Sequence, residues 1–396
     1  MATIAVLGAG IMASSLATPL ADNGHRMRLV GTHLDRDIIA SIQETGVHPN
    51  LGLKLPEGTT AYQLEDAAEA FDGVDLVMSG VNSFGVRWAG AQLAELLRPG
   101  MHVIALAKGM EADEDGNLTI LPRVLAGEIP QDLRDQLTFS AIAGPSIAGE
   151  VAVRRHTSVV FTGENQDVLD LWQGLFATDF YHVWTNTDFV GVEVCAATKN
   201  CYAFGAGFMA GVLDAMGAEA GDRYVNFNYG AAVFGQASIE MVEFMGLLGG
   251  EPTTPLGLPG IGDCFVTSMG GPNVKCGRLV GAGLTFSEAR AQMPGVTLEG
   301  AAAIGVIGKA LVRLTERGVV EPSRFPLLRH LYEVVGLDQP VNVPWGSFFG
   351  SNGSDKYHRP DCGLAKRISP KNRVWFSSVE DAKSLGYRPC AICSPC

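Results

Sequence analysis

Three sets of residues in this 396-residue chain have the types and spacing to do chemistry. The first is Gly8-x-Gly10-x-x-Ala13, placed directly after the apolar run Thr3–Leu7 and at the start of a helical pattern. Glycines there permit a tight turn and a close approach of backbone amides to a pyrophosphate, and a small third residue lets helix pack on strand. The second set comprises Ala107-Lys108-Gly109, Glu193-x5-Lys199-Asn200 and Gly260-Ile261-Gly262-Asp263-x3-Thr267, followed by Gly270-Gly271-Pro272-Asn273-x-Lys275. Lys199 lies between the apolar runs Val194-Cys195-Ala196-Ala197 and Cys201-Tyr202-Ala203-Phe204. A lysine desolvated in this way has a lowered pKa and exchanges a proton near neutral pH. The alternative is a structural ion pair of Lys199 with Asp263, and each lysine taken alone reads as a solvated surface residue. The third set is His358-x3-Cys362 and Cys390-x2-Cys393, two close pairs separated by 27 residues. Two such pairs are the pattern of a closed tetrahedral site for a structural Zn²⁺, with no position left for water; chance thiols or a disulfide are the alternatives. Cys396 is a spare thiol or a substitute ligand.

The elements that must position these groups follow from periodicity. Short β-branched runs at Thr3–Leu7, Arg28–Val30, Leu76–Val81, His102–Ala107, Thr138–Ala143 and Ser158–Thr162 predict strands. Helical patterns lie between them at Ile11–Asn23, Trp88–Leu97 and Val168–Phe176. Strands alternating with helices predict βαβ units and a parallel sheet. After about Phe189 the chain turns to long stretches rich in Ala, Gly, Met and Leu, at Val192–Met216, Tyr229–Leu248 and Glu299–Arg317, which predict helices packed through small residues. The expected fold class is an α/β Rossmann domain (1–188) followed by an all-α domain (189–338). A Pro-, Gly- and Ser-rich linker (339–352) then leads to a small zinc-binding α+β module (353–396).

Composition narrows the function classes. The net charge of −13 argues against a general nucleic-acid binder. Gly353 to Cys396 carries 8 Lys+Arg against 4 Asp+Glu, so the first 352 residues hold a net −17. No stretch approaches the ~20 uncharged apolar residues of a membrane span, the start of the chain lacks a basic signal region, and a cytoplasmic location is expected. The residues after the second strand, Gly31-Thr32-His33, lack an acidic group at the strand end, where one would hold the ribose 2′-OH. Arg36 favours NADP and Asp35 leaves NAD open.

The chain resembles NAD(P)-dependent glycerol-3-phosphate dehydrogenases over about residues 1 to 335. The resemblance runs through the Gly8-Ala9-Gly10 turn, Ala107-Lys108-Gly109, Gly144-Pro145-Ser146-x-Ala148-x-Glu150, Glu193-Val194, Lys199-Asn200, Gly262-Asp263 and Leu298-Glu299-Gly300, in family order. It implies hydride transfer between a nicotinamide and the C2 carbonyl of dihydroxyacetone phosphate, bound in a cleft between a Rossmann and a helical domain. It assigns Lys199 as proton donor and acceptor, Lys108 to substrate and cofactor, and Asp263 and Thr267 to the surroundings of the reacting oxygen. The expected cofactor set is Gly8, Gly10, Ile11, Met12, His33, Arg36, Lys108, Ser146, Ala148 and Glu299. Asn273 and Lys275 join Lys108 in the substrate set, and a homodimer is expected. One departure matters: the family has Arg before Asn in its phosphate-binding segment, and here Pro272 precedes Asn273. Losing a buried charged partner costs about 2–5 kcal/mol. Lys275 or Arg278 would have to replace it, and a relative acting on another polyol phosphate or a non-phosphorylated hydroxy compound is the alternative.

The end of the chain, Tyr357-His358-Arg359-Pro360-Asp361-Cys362 and Gly386-Tyr387-Arg388-Pro389-Cys390-Ala391-Ile392-Cys393, resembles the zinc-binding domain of Ada-type methylphosphotriester repair proteins. In that family the four ligands are cysteines and the first accepts the methyl group. Here the first is His358, which implies that methyl acceptance is lost. Arg359, Lys366, Arg367, Lys371, Arg373 and Arg388 form a basic set. Docking or an accessory interaction is expected of it rather than DNA contact, and a DNA- or partner-binding protein with a nucleotide-sensing body is the competing class.

Overall fold

Alternating side chains give the strands of the first unit two apolar faces. Ile4 and Val6 enter one buried cluster with Met27, Leu29, Met78 and Ile104, while Ala5 and Leu7 enter another with Val30, Val77 and Val103. A sheet buried on both faces is the situation that parallel strands require. The computed structural model describes residues 1–217, 227–321, 324–341, 348–359, 362–369, 372–376 and 379–395; Lys371 and Cys396 lie outside them. The chain divides into two compact units that interleave along the sequence. One is Met1–Glu111, Thr119–Lys199 and Phe244–Val266; the other is Ala112–Leu118, Asn200–Glu243 and Thr267–Cys396.

The first unit holds an eight-stranded sheet of β1 (Thr3–Leu7), β2 (Arg26–Val30), β3 (Thr59–Tyr62), β4 (Leu76–Ser79), β5 (His102–Ala105), β6 (Thr138–Ala143), β7 (Thr157–Gly163) and β8 (Tyr181–Asn186). Their order across the sheet is β8-β7-β6-β5-β4-β1-β2-β3. The strand order reverses where β1 lies between β2 and β4, the switch point at which such sheets bind nucleotides. The sheet is mixed rather than parallel throughout, because β6 and β7 pair antiparallel. Their connection holds one helix of five residues, Ala148–Ala152, which turns the chain back instead of carrying it across the sheet. The helix expected over Ile11–Asn23 is split into Ile11–Ser15 and Ala17–Asp22. Pro19 explains the break, since its ring opposes the Ser15 carbonyl four residues earlier.

The second unit is built from helices. Phe189–Ala215 enters it from the first unit, and Pro272–Gly281, Glu299–Glu316 and Pro326–Gly336 follow. Gly207 and Gly211 face Gly277 and Gly281, and a Cβ at Gly281 would stand 2.8 Å from the Phe208 Cα. A Cβ at Gly277 would collide with the Phe204 carbonyl. Two helices therefore meet backbone to backbone, and Arg278 closes the seam on Asp214 with hydrogen bonds of 2.7 and 2.9 Å. Helix Phe227–Leu248 is, by length and composition, long and apolar enough to cross a membrane, although it carries Glu240 and Glu243 and so is not an uncharged stretch. Its buried Glu240 ties it to helix Pro326–Gly336 by accepting the Leu327 and Leu328 amides at 2.6 and 3.0 Å. A carboxylate at a helix N-terminus satisfies amides that have no helical partner.

The same unit contains the small C-terminal module. Its four-stranded sheet is β9 (Phe348–Ser351), β10 (Lys356–His358), β11 (Arg373–Phe376) and β12 (Arg388–Pro389), in the order β11-β9-β10-β12. Residues 348–351, read from composition as linker, are thus a central strand. Phe348 packs with Tyr357 and Phe376, while Phe349 turns to the other face with Cys362 and Cys390. Strand alternation makes one Phe-Phe pair serve both small cores. The Gly and Ser around it hid the strand.

The glycine seam gives a direct test of the helical packing. Gly277→Ala should destabilise the chain by about 1–3 kcal/mol through overpacking, read as a lower urea midpoint. An unchanged midpoint would mean the two helices are not in backbone contact.

Candidate active site and metal centre

The glycine turn after β1 is shaped by its neighbours. Gly8 has φ +109°, and a Cβ there would lie 2.9 Å from the Gly80 carbonyl carbon. Gly8 therefore belongs to the turn itself. Gly10 differs: its φ is −64°, and an added Cβ would meet only the Gly80 oxygen, at 3.5 Å. Nothing in the chain demands glycine at this position, whereas a pyrophosphate seated on the turn does, so the residues present fit a dinucleotide. Met12 on the following turn lies 3.8 Å from the Ser146 hydroxyl, which brings two expected cofactor residues together. Ala148 opens the short helix after Ser146.

The residues after β2 have protein partners of their own. Asp35 Oδ2 accepts the Ala9 amide at 3.2 Å, the Thr32 amide at 2.9 Å and the Thr32 hydroxyl at 2.8 Å. Asp35 thereby clamps the glycine turn to the end of β2, a role that sequence reading missed. Arg36 pairs with Glu65 on the surface. Exposed pairs of this kind contribute about 0–1 kcal/mol, so the guanidinium exchanges partners readily. His33 sets its ring edge against Trp88, 5.3 Å between centroids.

At the end of β5 the chain places Lys108, and a wide helical turn at Leu258–Gly262 delivers Asp263 to the start of helix Asp263–Ser268. Lys108 Nζ donates to Asp263 Oδ2 at 2.9 Å and to the Gly144 carbonyl at 3.3 Å. Lys199 Nζ donates to the other oxygen, Asp263 Oδ1. Asp263 is fully buried and Lys199 is 8% exposed. Burial lowers the Lys199 pKa to about 8, helped by the nearby Lys108 ammonium and opposed by Asp263. The arrangement holds two ammonium groups on one carboxylate, with one of them able to trade a proton near neutral pH. Glu193, on the same helix as Lys199, is also buried, and the field of Lys108 reaches it. The sequence marks it through the Glu193-x5-Lys199 spacing and the apolar run around it, without assigning it a role.

In the second unit, Asn273 Oδ1 accepts the Gly300 amide at 3.0 Å. Glu299 opens helix Glu299–Glu316, Thr267 lies in helix Asp263–Ser268, and Lys275 is exposed on helix Pro272–Gly281. Arg278 is engaged by Asp214, so Lys275 is the candidate left to replace the missing arginine.

In the module, the ligand atoms of His358, Cys362, Cys390 and Cys393 lie within 4.8 Å of one another. Cys362 Sγ stands 3.5 Å from His358 Nδ1, against about 3.5 Å for a tetrahedral edge built from Zn–S and Zn–N bonds. Burial raises the Cys390 thiol, but the backbone amides of Cys393 and Ile392 outweigh it and bring the pKa below its ordinary value. The Ile392 amide donates to Cys390 Sγ at 3.4 Å. Burial also lowers the His358 pKa, which favours the neutral ring that a metal needs.

Comparison with known proteins agrees with this geometry. Residues 3–169 and 188–343 match the N-terminal and C-terminal regions of NAD-dependent glycerol-3-phosphate dehydrogenase, and residues 346–396 match the metal binding domain of Ada. The NADP(+)-dependent glycerol-3-phosphate dehydrogenase of Archaeoglobus fulgidus is 32% identical over 73% of this chain and 83% of its own. A glycerol-3-phosphate dehydrogenase [NAD(P)+] of Streptococcus suis is 30% identical over 88% of this chain and 98% of its own. The crystal structure of glycerol-3-phosphate dehydrogenase from Coxiella burnetii superposes with a TM-score of 0.68 at 25% identity, covering 85% of this chain and 95% of that one. The Saccharomyces cerevisiae enzyme, 21% identical with a TM-score of 0.68 over 86% of this chain and 97% of its own, shares the fold. With its nucleotide turn, its paired lysines and its matches over most of its length, the chain belongs to the NAD-dependent glycerol-3-phosphate dehydrogenase family, as an NAD(P)-dependent oxidoreductase acting on a CH–OH group.

Proposed function

We propose that the chain transfers hydride reversibly between a nicotinamide and the C2 carbonyl of dihydroxyacetone phosphate, with Lys199 as the proton donor and acceptor. The observation that carries this reading is the sharing of buried Asp263 by Lys108 and Lys199. The bound nicotinamide supplies or accepts the hydride. Reducing a ketone leaves negative charge on oxygen, and an ammonium beside it both stabilises that charge and supplies the proton. Lys199 does this; Lys108 holds substrate and cofactor, and Asp263 orients both amines. Thr267 acts near the reacting oxygen, and Asn273 and Lys275 serve the phosphate. Gly8, Gly10, Ile11, Met12, His33, Ser146, Ala148 and Glu299 hold the cofactor. Arg36 reads a 2′-phosphate, supported by its weak surface pairing and by the engagement of Asp35 in the glycine turn. A homodimer acting in the cytoplasm on a small-molecule substrate completes the reading, supported by the family.

A second reading is favoured by one observation. With Pro272 in place of the family's arginine and Arg278 held by Asp214, the phosphate subsite retains a lysine point charge rather than a bidentate fork. That supports another polyol phosphate or a non-phosphorylated hydroxy compound as substrate. Assaying phosphorylated and free ketones with NADPH and with NADH separates the two readings.

The module holds one structural Zn²⁺ on His358, Cys362, Cys390 and Cys393, because a set of four protein ligands leaves no position for water. Its basic set is partly engaged: Arg388 pairs with Asp355 at 2.9 Å, and Arg373 lies over the Phe349 ring at 4.8 Å. This supports docking or an accessory role over DNA contact.

Three outcomes test these assignments. Lys199→Ala should lower kcat by at least ~10²-fold with cofactor affinity little changed, and near-normal turnover would remove Lys199 from the mechanism. Wild-type ketone reduction should fall as pH rises through about 8, where Lys199 loses its proton. Asp263 raises that pKa, so in Asp263→Asn the alkaline limb should move to lower pH; an unmoved limb would show that Asp263 does not act on Lys199. Chelation, or Cys390→Ser with Cys393→Ser, should unfold the module and leave hydride transfer mostly intact. Turnover lost and regained in step with zinc would mean the metal supports the dehydrogenase site.

A further inference from the structure

Among the described residues, Glu193 is the acid with both carboxylate oxygens buried and without a hydrogen-bond partner. Glu240 provides the contrast. It is equally buried, yet it receives the Leu327 and Leu328 amides, the Gln236 side chain and the Tyr202 hydroxyl. Glu193 instead lies on helix Phe189–Ala215 beside Val192 and Ala196, which pack with Ala143 and Val160. A carboxylate in such surroundings is costly without donors, so the group sheds its charge. Burial pushes its pKa up to about 8, and the Lys108 ammonium pulls in the other direction. Lys108, from the segment after β5, is the charged group that acts on it. Asp263 and Lys199 complete the ionic cluster, and burial keeps the thiols Cys195 and Cys264 neutral. Asp188, at the start of the helix, is engaged by the Gly191 and Glu251 amides and the Thr254 hydroxyl.

The charge of the cluster depends on this group. Lys108 and Lys199 together carry two positive charges against one on Asp263. We propose that Glu193 is a positioning residue acting through Lys108: as a neutral carboxylic acid it leaves the Lys108–Asp263–Lys199 cluster with excess positive charge toward an anionic substrate, and its ionisation cancels that excess. The site is thereby matched to an anion while Glu193 and Lys199 both hold their protons, and the comparison with Glu193→Gln isolates the Glu193 share. The proposal rests on the dehydrogenase reading for the identity of the anion, but anion binding is measured without turnover, so activity on a given ketone does not enter its test.

The test compares the full-length chain with Glu193→Gln, which keeps the size and fixes the neutral form. Calorimetry with inorganic sulfate, whose charge is constant over the range, should show wild-type affinity falling between pH 6.5 and 9. In Glu193→Gln the fall should be smaller by at least about fivefold, the scale of one added charge near the site. In turnover the same difference should appear in KM rather than kcat. Thermal melts supply a readout independent of binding. A carboxyl whose pKa is higher folded than unfolded loses stability as pH rises from the ordinary carboxylate range to the folded value. The Tm of Glu193→Gln should therefore gain on the wild type up to about pH 8 and then level off. Infrared spectra of the wild type should show a protonated carboxyl band lost at alkaline pH, a measurement that needs no variant. A Tm difference flat with pH, a sulfate affinity with wild-type pH dependence in Glu193→Gln, or the absence of that infrared band would each overturn the proposal.

Discussion

A single buried carboxylate, shared by two lysines, is the interaction on which the rest of this enzyme depends. Asp263 is fully enclosed, and each of its oxygens accepts from a different ammonium group. Removing one partner from a buried pair typically costs about 3–5 kcal/mol, because the remaining charge has nowhere to go. Three distant stretches of chain must therefore arrive together: the end of β5 with Lys108, the long helix with Lys199, and the wide turn with Asp263. The constraint is also chemical. Asp263 keeps Lys199 from losing its proton altogether, while burial and Lys108 keep the proton labile. Burial, pairing and proton lability are therefore set by the same contact.

Close backbone approach is the second theme. At the nucleotide turn, Gly8 lets the chain pass against Gly80, and Asp35 ties that turn to the end of β2. In the helical unit, paired glycines bring helices Phe189–Ala215 and Pro272–Gly281 together. Packing at native density rewards such contacts and tolerates little added volume. Arg278 belongs to this seam through Asp214. One of the two cations that the sequence offers beside Asn273 is thus part of the packing.

The C-terminal module solves a different problem. Domains of its size bury too little apolar surface to be stable on packing alone and are usually completed by metals or disulfides. Its aromatic cluster of Phe348, Tyr357 and Phe376 occupies one side of the sheet, and the His–Cys cluster takes the other. His358 brings an imidazole to a cluster whose other three members are thiols.

Much of this was legible in the residues themselves. The glycine turn after Thr3–Leu7, the apolar flanks of Lys199 and the spacing of His358, Cys362, Cys390 and Cys393 are local patterns, and local patterns specify local geometry. The alternation of strand and helix likewise announced a nucleotide-binding sheet. Other features were carried by more than the local pattern. The antiparallel β6–β7 pair depends on what a short connection can span, and the split after Ser15 on a proline ring meeting a carbonyl one turn back. Phe348–Ser351 became a strand because its two aromatics found cores on opposite faces, although its neighbours read as linker. Asp35 and Arg278 looked available as ligands until the fold supplied them with partners. The sequence by itself determined which groups could do chemistry. Tertiary structure decided which of them were already engaged and which, like Glu193, were buried without a partner, because burial and pairing depend on residues far apart in the chain.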